Sequence, residues 1–295
     1  MSITSIASFY FRKRQRDLEH HFTAPIGLQE AVLQRLVSRA ADTLYGSEHG
    51  FGSFDKSSLY EAFRKGVPVN TYEELKEYID RMRHGERDVL WRGQVKWYAK
   101  SSGTTNDKSK FIPVSSEGLK RIHYQGGNDV VAYYLQNNPK SRLFDGRALI
   151  LGGSHSPNYN VANSLVGDLS AILIENINPV VNLVRVPDKK TALISEFDRK
   201  RELIARQCLK ANVTNISGVP SWMMSVLSRV MELSGKQHLE EVWPNLEVFF
   251  HGGIAFTPYR KQYEQLITKR TCTTWRPTTP LRVSSAYKMT LLIAV

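Results

Sequence analysis

Cysteine is almost missing from these 295 residues; Cys208 and Cys272 are the two present. Two thiols cannot build a disulfide framework or a multi-cysteine metal cluster, so a reducing cytoplasm is the expected compartment. Cys208 lies in an apolar helical run and is expected to be packed. No apolar run is long enough to cross a bilayer, so no membrane contact is expected. The start, MSITSIASFYFRKRQRDLEH, lacks a basic segment followed by an apolar one and does not read as a secretory signal. Its FRKRQR patch is followed at once by Asp17 and Glu19, which favours a solvated helix start. Acid is missing from one stretch. After Glu264 there is no Asp or Glu, while Lys269, Arg270, Arg276, Arg282 and Lys288 all fall there, and they supply five of the twelve net positive charges. Elsewhere basic residues alternate with acids, as in Glu73-Glu74-Leu75-Lys76-Glu77, which is usual for exposed helix faces. Without a basic stripe interleaved with aromatics, nucleic acid is not an expected partner.

What is present suits a globular chain: 41% hydrophobic, 23% charged and 10% aromatic residues. The length allows one large domain or two smaller ones. Leu28, Val32, Leu33, Leu36, Val37, Ala40 and Leu44 recur at helical spacing and predict an amphipathic helix over 28–45. Tyr72 to Met82 is another, with Thr71 as cap and Glu74 three residues on, a capping-box pattern. Ser115 to Gln136 reads as helix, as do Lys200 to Lys210, Pro220 to Leu233 and Thr257 to Ile267. The apolar runs Arg147 to Leu151, Val213 to Ile216 and Leu246 to Phe250 read as strands, the first entering a Gly152-Gly153 turn. Short strands alternating with helices predict an α/β fold with a mostly parallel sheet.

The segment from Tyr98 to Pro113 carries the most chemistry. Ser101, Ser102, Thr104 and Thr105 flank Gly103, with Lys108 and Lys110 following. Such a loop offers hydroxyls and backbone N–H groups to an anion, and glycine lets the backbone come close. It can cradle the phosphates of ATP. Composition alone leaves a Ser/Thr-rich surface loop open as the alternative. A kinase-type phosphate loop needs a second glycine before its lysine, and here Gly103 is followed by Thr-Thr-Asn-Asp-Lys-Ser. Ser154-His155 invites a hydrolase reading, but neighbours in a turn rarely face each other and no G-x-S-x-G elbow is present. His155 reads as a pocket-lining or structural residue. Trp222, Met223 and Met224 read as core positions, with the wall of a ligand pocket as the alternative.

SSGTT followed by Lys110 resembles the phosphate-binding motif of the superfamily of acyl-CoA synthetases, luciferases and peptide-synthetase adenylation domains. The Ser-Ser start, the position of Lys110 and the following FIP resemble the auxin-responsive acyl acid–amido synthetase family, more in its bacterial than its plant form. DTLYGSEHGF, LGGSHS, SGVPSWMM and HGGIAFTPYR resemble it too, and the likeness covers roughly residues 10 to 267. The resemblance implies the large N-terminal, ATP-binding domain of an adenylate-forming ligase. Such an enzyme activates a carboxylic acid as acyl-AMP, with Mg²⁺ shielding phosphate charge, and passes the acyl group to an amine such as that of an amino acid. It implies that Ser101, Ser102, Gly103, Thr104, Thr105 and Lys110 hold the phosphates. It also implies that His251, Gly252 and Gly253 lie against the adenine and acyl groups. A histidine merely bonded near a strand end is the alternative for His251. No residue is expected to ligate a metal directly. An acyl-CoA ligase of the same superfamily and a non-catalytic nucleotide-binding remnant are the rival functions.

Two expected elements are missing. One is a Tyr-x-x-Ser-Glu motif shortly after HGG…FTPYR; the other is the C-terminal part with its lid domain. Thr271 to Thr290 can be encoded so that a shifted frame reads Met-His-Tyr-Met-Glu-Thr-Tyr-Asn-Ala-Ser-Glu-Gly-Phe-Phe-Gly-Ile-Gln-Asn-Asp. That contains the missing motif at its expected place. The expectation is therefore an incomplete adenylation domain over residues 1–270, an out-of-frame tail over 271–295, a bare sheet edge where the motif strand belongs, and lost activity.

Overall fold

The computed structural model describes residues 3–101, 109–268 and 273–274. The strands run β1 (Trp97–Ser101), β2 (Lys110–Val114), β3 (Arg147–Ile150), β4 (His155–Pro157), β5 (Leu165–Gly167), β6 (Arg185–Val186), β7 (Val213–Gly218), β8 (Val248–His251) and β9 (Thr273–Thr274). The chain divides into two compact units. One takes in residues 14–122 and 156–167; the other takes in 3–13, 123–155 and the described residues from Asp168 onward. No helix among the described residues is long and apolar enough to cross a membrane.

In the first unit the apolar stripe of helix Pro25–Ala40 buries Val37 and Ala40 against Phe51 and Leu59. This helix stops short of the predicted residue 45. Thr43 Oγ1 donates to the carbonyl of Ala40 at 2.7 Å and caps a new helix, Leu44–Glu48, by accepting from Gly46 N at 3.0 Å. A Cβ on Gly46 would stand 1.9 Å from the carbonyl oxygen of Ala40, so only glycine permits this break. Helix Tyr72–Arg83 has the expected capping box: the Thr71 backbone N–H and hydroxyl both donate to Glu74 Oε2, at 2.5 and 2.8 Å. It presents Met82 to a core with Val89, Val95 and Tyr98. The sheet here runs β2-β1-β5-β4, with β1 antiparallel to β2 and parallel to β5. The predicted helix from Ser115 forms with a π-helical stretch, Leu119–Tyr124, between Ser116–Gly118 and Gln125–Asn137. Ser115 caps it, accepting from Gly118 N at 2.9 Å.

The second unit is built on a parallel sheet of order β6-β3-β7-β8-β9. Its apolar strands fit a sheet covered by helices. Leu149, Val186, Ile216 and Phe249 form one core with Ile204 and Cys208 of helix Phe197–Leu209 and Met223, Val226 and Leu227 of helix Pro220–Ser234. Gly235 ends the latter helix in the left-handed conformation, φ 66°. Trp243 is buried against this core and its indole N–H donates to the carbonyl of Cys208 at 3.0 Å. Cys208 is packed as expected, and burial pushes its thiol up to about 12.

Two expectations fail. Trp222 is 51% exposed rather than core, packed edge-on against Phe197, whereas Met223 beside it is fully buried. One helix turn cannot send both neighbours inward, and Met223 occupies the inward position. The sheet edge beside β8 is not bare: Thr273 and Thr274 pair in parallel with Val248 and Phe249.

Candidate functional site

β1 and β2 form a hairpin whose last pair is Ser101 with Lys110. The two ends of the Ser/Thr-rich segment therefore stand opposite each other. Ser102, Gly103, Thr104 and Thr105 lie outside the described residues. Lys110 Nζ sits 5.3 Å from the centroid of the Tyr72 ring, and the Tyr72 hydroxyl accepts from Phe111 N at 2.8 Å. The Arg83 guanidinium stacks over Phe111 at 3.7 Å. The lysine thus stands at a fixed hairpin mouth, braced by the helix Tyr72–Arg83.

In the second unit, ligand crevices of parallel sheets lie beyond the carboxyl ends of the strands. Three stretches singled out in the sequence meet there. Ile150 pairs with Ser217, and Gly218 pairs with His251, so LGGSHS, SGVPS and HGG leave adjacent strands side by side. Gly253 has φ 85°, open to glycine at no steric cost, and a Cβ there would come 3.2 Å from Val219 Cγ2. The His251 ring stacks on Phe256 at 4.3 Å and 21°. Its Nε2 is buried with no hydrogen-bond partner among the described residues. Burial, and then the charge of Arg260, hold the imidazole below its ordinary value. The ring is therefore neutral near pH 7, a hydrogen-bonding group awaiting a partner.

The turn after β3 is locked by residues that the sequence reading passed over. Lys200 is 6% exposed and its Nζ donates to the carbonyls of Gly152 and Gly153, at 2.6 and 2.8 Å. Burial lowers its ammonium affinity for protons, and Asp168 opposes that shift. Asp168 Oδ2 accepts from Ser154 N at 2.9 Å, and Ser170 Oγ accepts from Gly153 N at 2.9 Å. The signal was present: Lys200, Ile204 and Cys208 share one stripe of their helix, and a lysine on a buried stripe asks for a partner. His155 stands clear of any Ser–His pairing; its Nε2 faces Glu175 Oε2 at 3.4 Å, and Glu175 also binds Lys189 at 2.7 Å.

This arrangement offers a charged hairpin mouth in one unit and, in the other, glycine turns beside a neutral imidazole at the carboxyl ends of the strands. A flat aromatic ring can lie on glycine backbone, and an anion can be met by the lysine.

Comparisons with known proteins agree in direction. The family model described as GH3 family N-terminal domain matches residues 14–272. A segment of 95 residues is 37% identical to indole-3-acetic acid-amido synthetase GH3.15 of Arabidopsis thaliana, covering 32% of this chain and 15% of that protein. A segment of 111 residues is 32% identical to indole-3-acetic acid-amido synthetase GH3.8 of Oryza sativa subsp. indica, covering 37% of this chain and 18% of the relative. The solved structure of GH3.15 acyl acid amido synthetase superposes with a TM-score of 0.67 at 19% identity, covering 87% of this chain and 54% of that one. The chain thus spans about half the length of that solved protein, and the likeness extends to the fold.

Proposed function

The chain belongs to the GH3 family, and from that premise we propose that it carries the ATP-binding part of a ligase that joins a carboxylic acid to AMP and passes the acyl group to an amine. The observation that carries the reading is the Ser101–Lys110 pair closing the hairpin around SSGTT. Bound ATP supplies the α-phosphate that the carboxylate attacks, with pyrophosphate leaving. Lys110 brings positive charge to the phosphate segment, and Ser101 to Thr105 bring hydroxyls and N–H groups. His251, Gly252 and Gly253 form a surface for the adenine, where the unpartnered Nε2 of His251 can take one hydrogen bond. Ordering these groups before the reaction is how such sites lower barriers. Hydroxyl, N–H and ammonium donors are the groups that nucleotide phosphates call for. Magnesium on nucleotide phosphates keeps most of its waters and takes one or two carboxylates; among the described residues there is no cluster of His, Cys, Asp and Glu able to hold a metal. The acid and amine are small molecules, as in the names of the amido synthetase relatives.

The test is calorimetric titration with ATP. Lys110→Ala should weaken binding at least tenfold, about 1.4 kcal/mol, with the unfolding midpoint unchanged. Equal affinity in the variant would sink the phosphate role of the loop.

A second reading, nucleotide binding without adenylation, is favoured by the stretch after Arg270. The family match stops at residue 272, and codons for Thr271 to Thr290 can be chosen so that a shifted frame reads Tyr-Asn-Ala-Ser-Glu. In this reading residues 271–295 are out of frame. ATP–pyrophosphate exchange separates the two: strong acid-dependent exchange supports the ligase, whereas ATP binding without exchange supports the second reading. Resequencing the coding DNA across Gln265 to Val295 tests the frame directly.

A further inference from the structure

Arg185 opens β6, at the margin of the parallel sheet, and is 2% exposed. Its Nε donates to Asn182 Oδ1 at 2.7 Å. Both terminal nitrogens, Nη1 and Nη2, are buried with no hydrogen-bond partner among the described residues. Asp188 is the acid whose charge reaches it, but that carboxylate is already committed. Its Oδ1 accepts from Thr191 N at 2.9 Å, and its Oδ2 accepts from Thr191 Oγ1 at 3.0 Å and Gln207 Nε2 at 2.5 Å. A second guanidinium crowds the same corner: Arg147 Nη1 donates to the carbonyls of Leu183 and Arg185, at 3.0 and 3.4 Å. Burial presses the Arg185 pKa down, yet a guanidinium does not lose its proton in a protein. A permanent charge with two idle donors is strongly unfavourable in a dry interior unless an acceptor meets it. The two nitrogens form a fork that matches two oxygens of one oxyanion.

We propose that Arg185 is the floor of a buried oxyanion site, where Nη1 and Nη2 hold two oxygens of a carboxylate or phosphate group. The site is separate from the crevice beyond the strand ends, because Arg185 pairs with Ala148 near the start of β3. The helix Pro179–Leu183, which supplies Asn182 to the Arg185 Nε, has no buried residue, and its Val180, Val181 and Leu183 are exposed. A segment with so little buried surface opens at low cost, which gives the ion a way in.

Thermal unfolding at constant ionic strength, with sodium phosphate in one series and sodium acetate in another, tests the proposal on the whole chain. The midpoint should rise by about 3 °C for each tenfold increase in anion above its dissociation constant. A rise with phosphate alone assigns a phosphate group, and a rise with acetate assigns a carboxylate. Arg185→Met should abolish the dependence and melt no lower than the wild type without anion, since the uncompensated charge is gone. Arg185→Lys, which keeps the charge but not the fork, should bind at least tenfold more weakly. Lys110→Ala should leave the dependence intact, separating this site from the phosphate loop. No shift with either anion overturns the proposal. So does a shift that survives in Arg185→Met or disappears in Lys110→Ala, equal affinity in Arg185→Lys, or an Arg185→Met protein that melts well below the wild type without anion.

Discussion

Replacing Gly153 by alanine tests whether the turn after β3 is as tightly determined as its geometry implies. A Cβ at residue 153 would stand 1.9 Å from Asp168 Oδ2, 2.4 Å from its Cγ and 2.5 Å from its Cβ. Rotating the Asp168 side chain removes the first two clashes but not the third, so backbone must move. Overpacking of this kind costs about 1–3 kcal/mol. Moving Asp168 also loses its bond from Ser154 N at 2.9 Å. That bond lies at an exposed carboxylate, so its loss adds no more than about 1 kcal/mol. Lys200 loses its nearby counter-charge as well. The expected total is about 2–4 kcal/mol, a fall in the thermal midpoint of about 3–8 °C in a chain of this size. Urea unfolding followed by fluorescence measures it. The control is Gly127→Ala in helix Gln125–Asn137, where a Cβ meets nothing within 4 Å. That change should be neutral or add up to about 1 kcal/mol. If Gly153→Ala unfolds within about 0.5 kcal/mol of the wild type, the backbone displacement argued from these distances does not occur.

Three further outcomes follow from residues already described. Thr71→Ala removes a cap hydroxyl from helix Tyr72–Arg83 and should cost about 1 kcal/mol by urea unfolding, while Thr71→Ser should keep most of it. Trp243→Ala empties a buried indole site and its bond to Cys208, and should cost about 3–5 kcal/mol. The folded pKa of His251 lies below its ordinary 6.5. Above about pH 6.5 the ring is neutral in both states; as the pH falls from there, the unfolded chain takes up the proton first and stability is lost. His123 is also held low by burial, so the readout is the difference between wild type and His251→Gln. The variant should lose less stability between about pH 7.5 and about pH 5.5, and equal losses would show that His251 does not titrate in this window.

How far the sequence could be read depended on whether a local rule decided the outcome. The capping box at Thr71 and Glu74 is local chemistry and appears as expected. β3, β7 and β8 were legible because an apolar run ending in glycine has few other structures open to it. The helix over 28–45 was misjudged at its end. Its apolar period runs on past Ala40, and the break depends on Gly46 meeting the Ala40 carbonyl, a contact that periodicity cannot show. Met223 and Trp222 look alike in composition, and only the helix's rotation against the sheet separates them. At the candidate site, the motif residues stood out by their spacing. Lys200, Asp168 and Ser170, which fix the glycine turn, come from two distant helices and meet only in the folded chain.

The pairing of Ser101 with Lys110 has a consequence for how this fold can vary. The five paired positions of the β1–β2 ladder set the distance between the ends of the intervening segment, whatever its length. Closing a longer segment across fixed ends costs only about 0.6 kcal/mol per doubling. Exchanging side chains between the paired ends therefore leaves the ladder itself, and the separation of Ser101 from Lys110, as they are. Binding at the hairpin mouth can thus be tuned by substitution without disturbing the strands that present it.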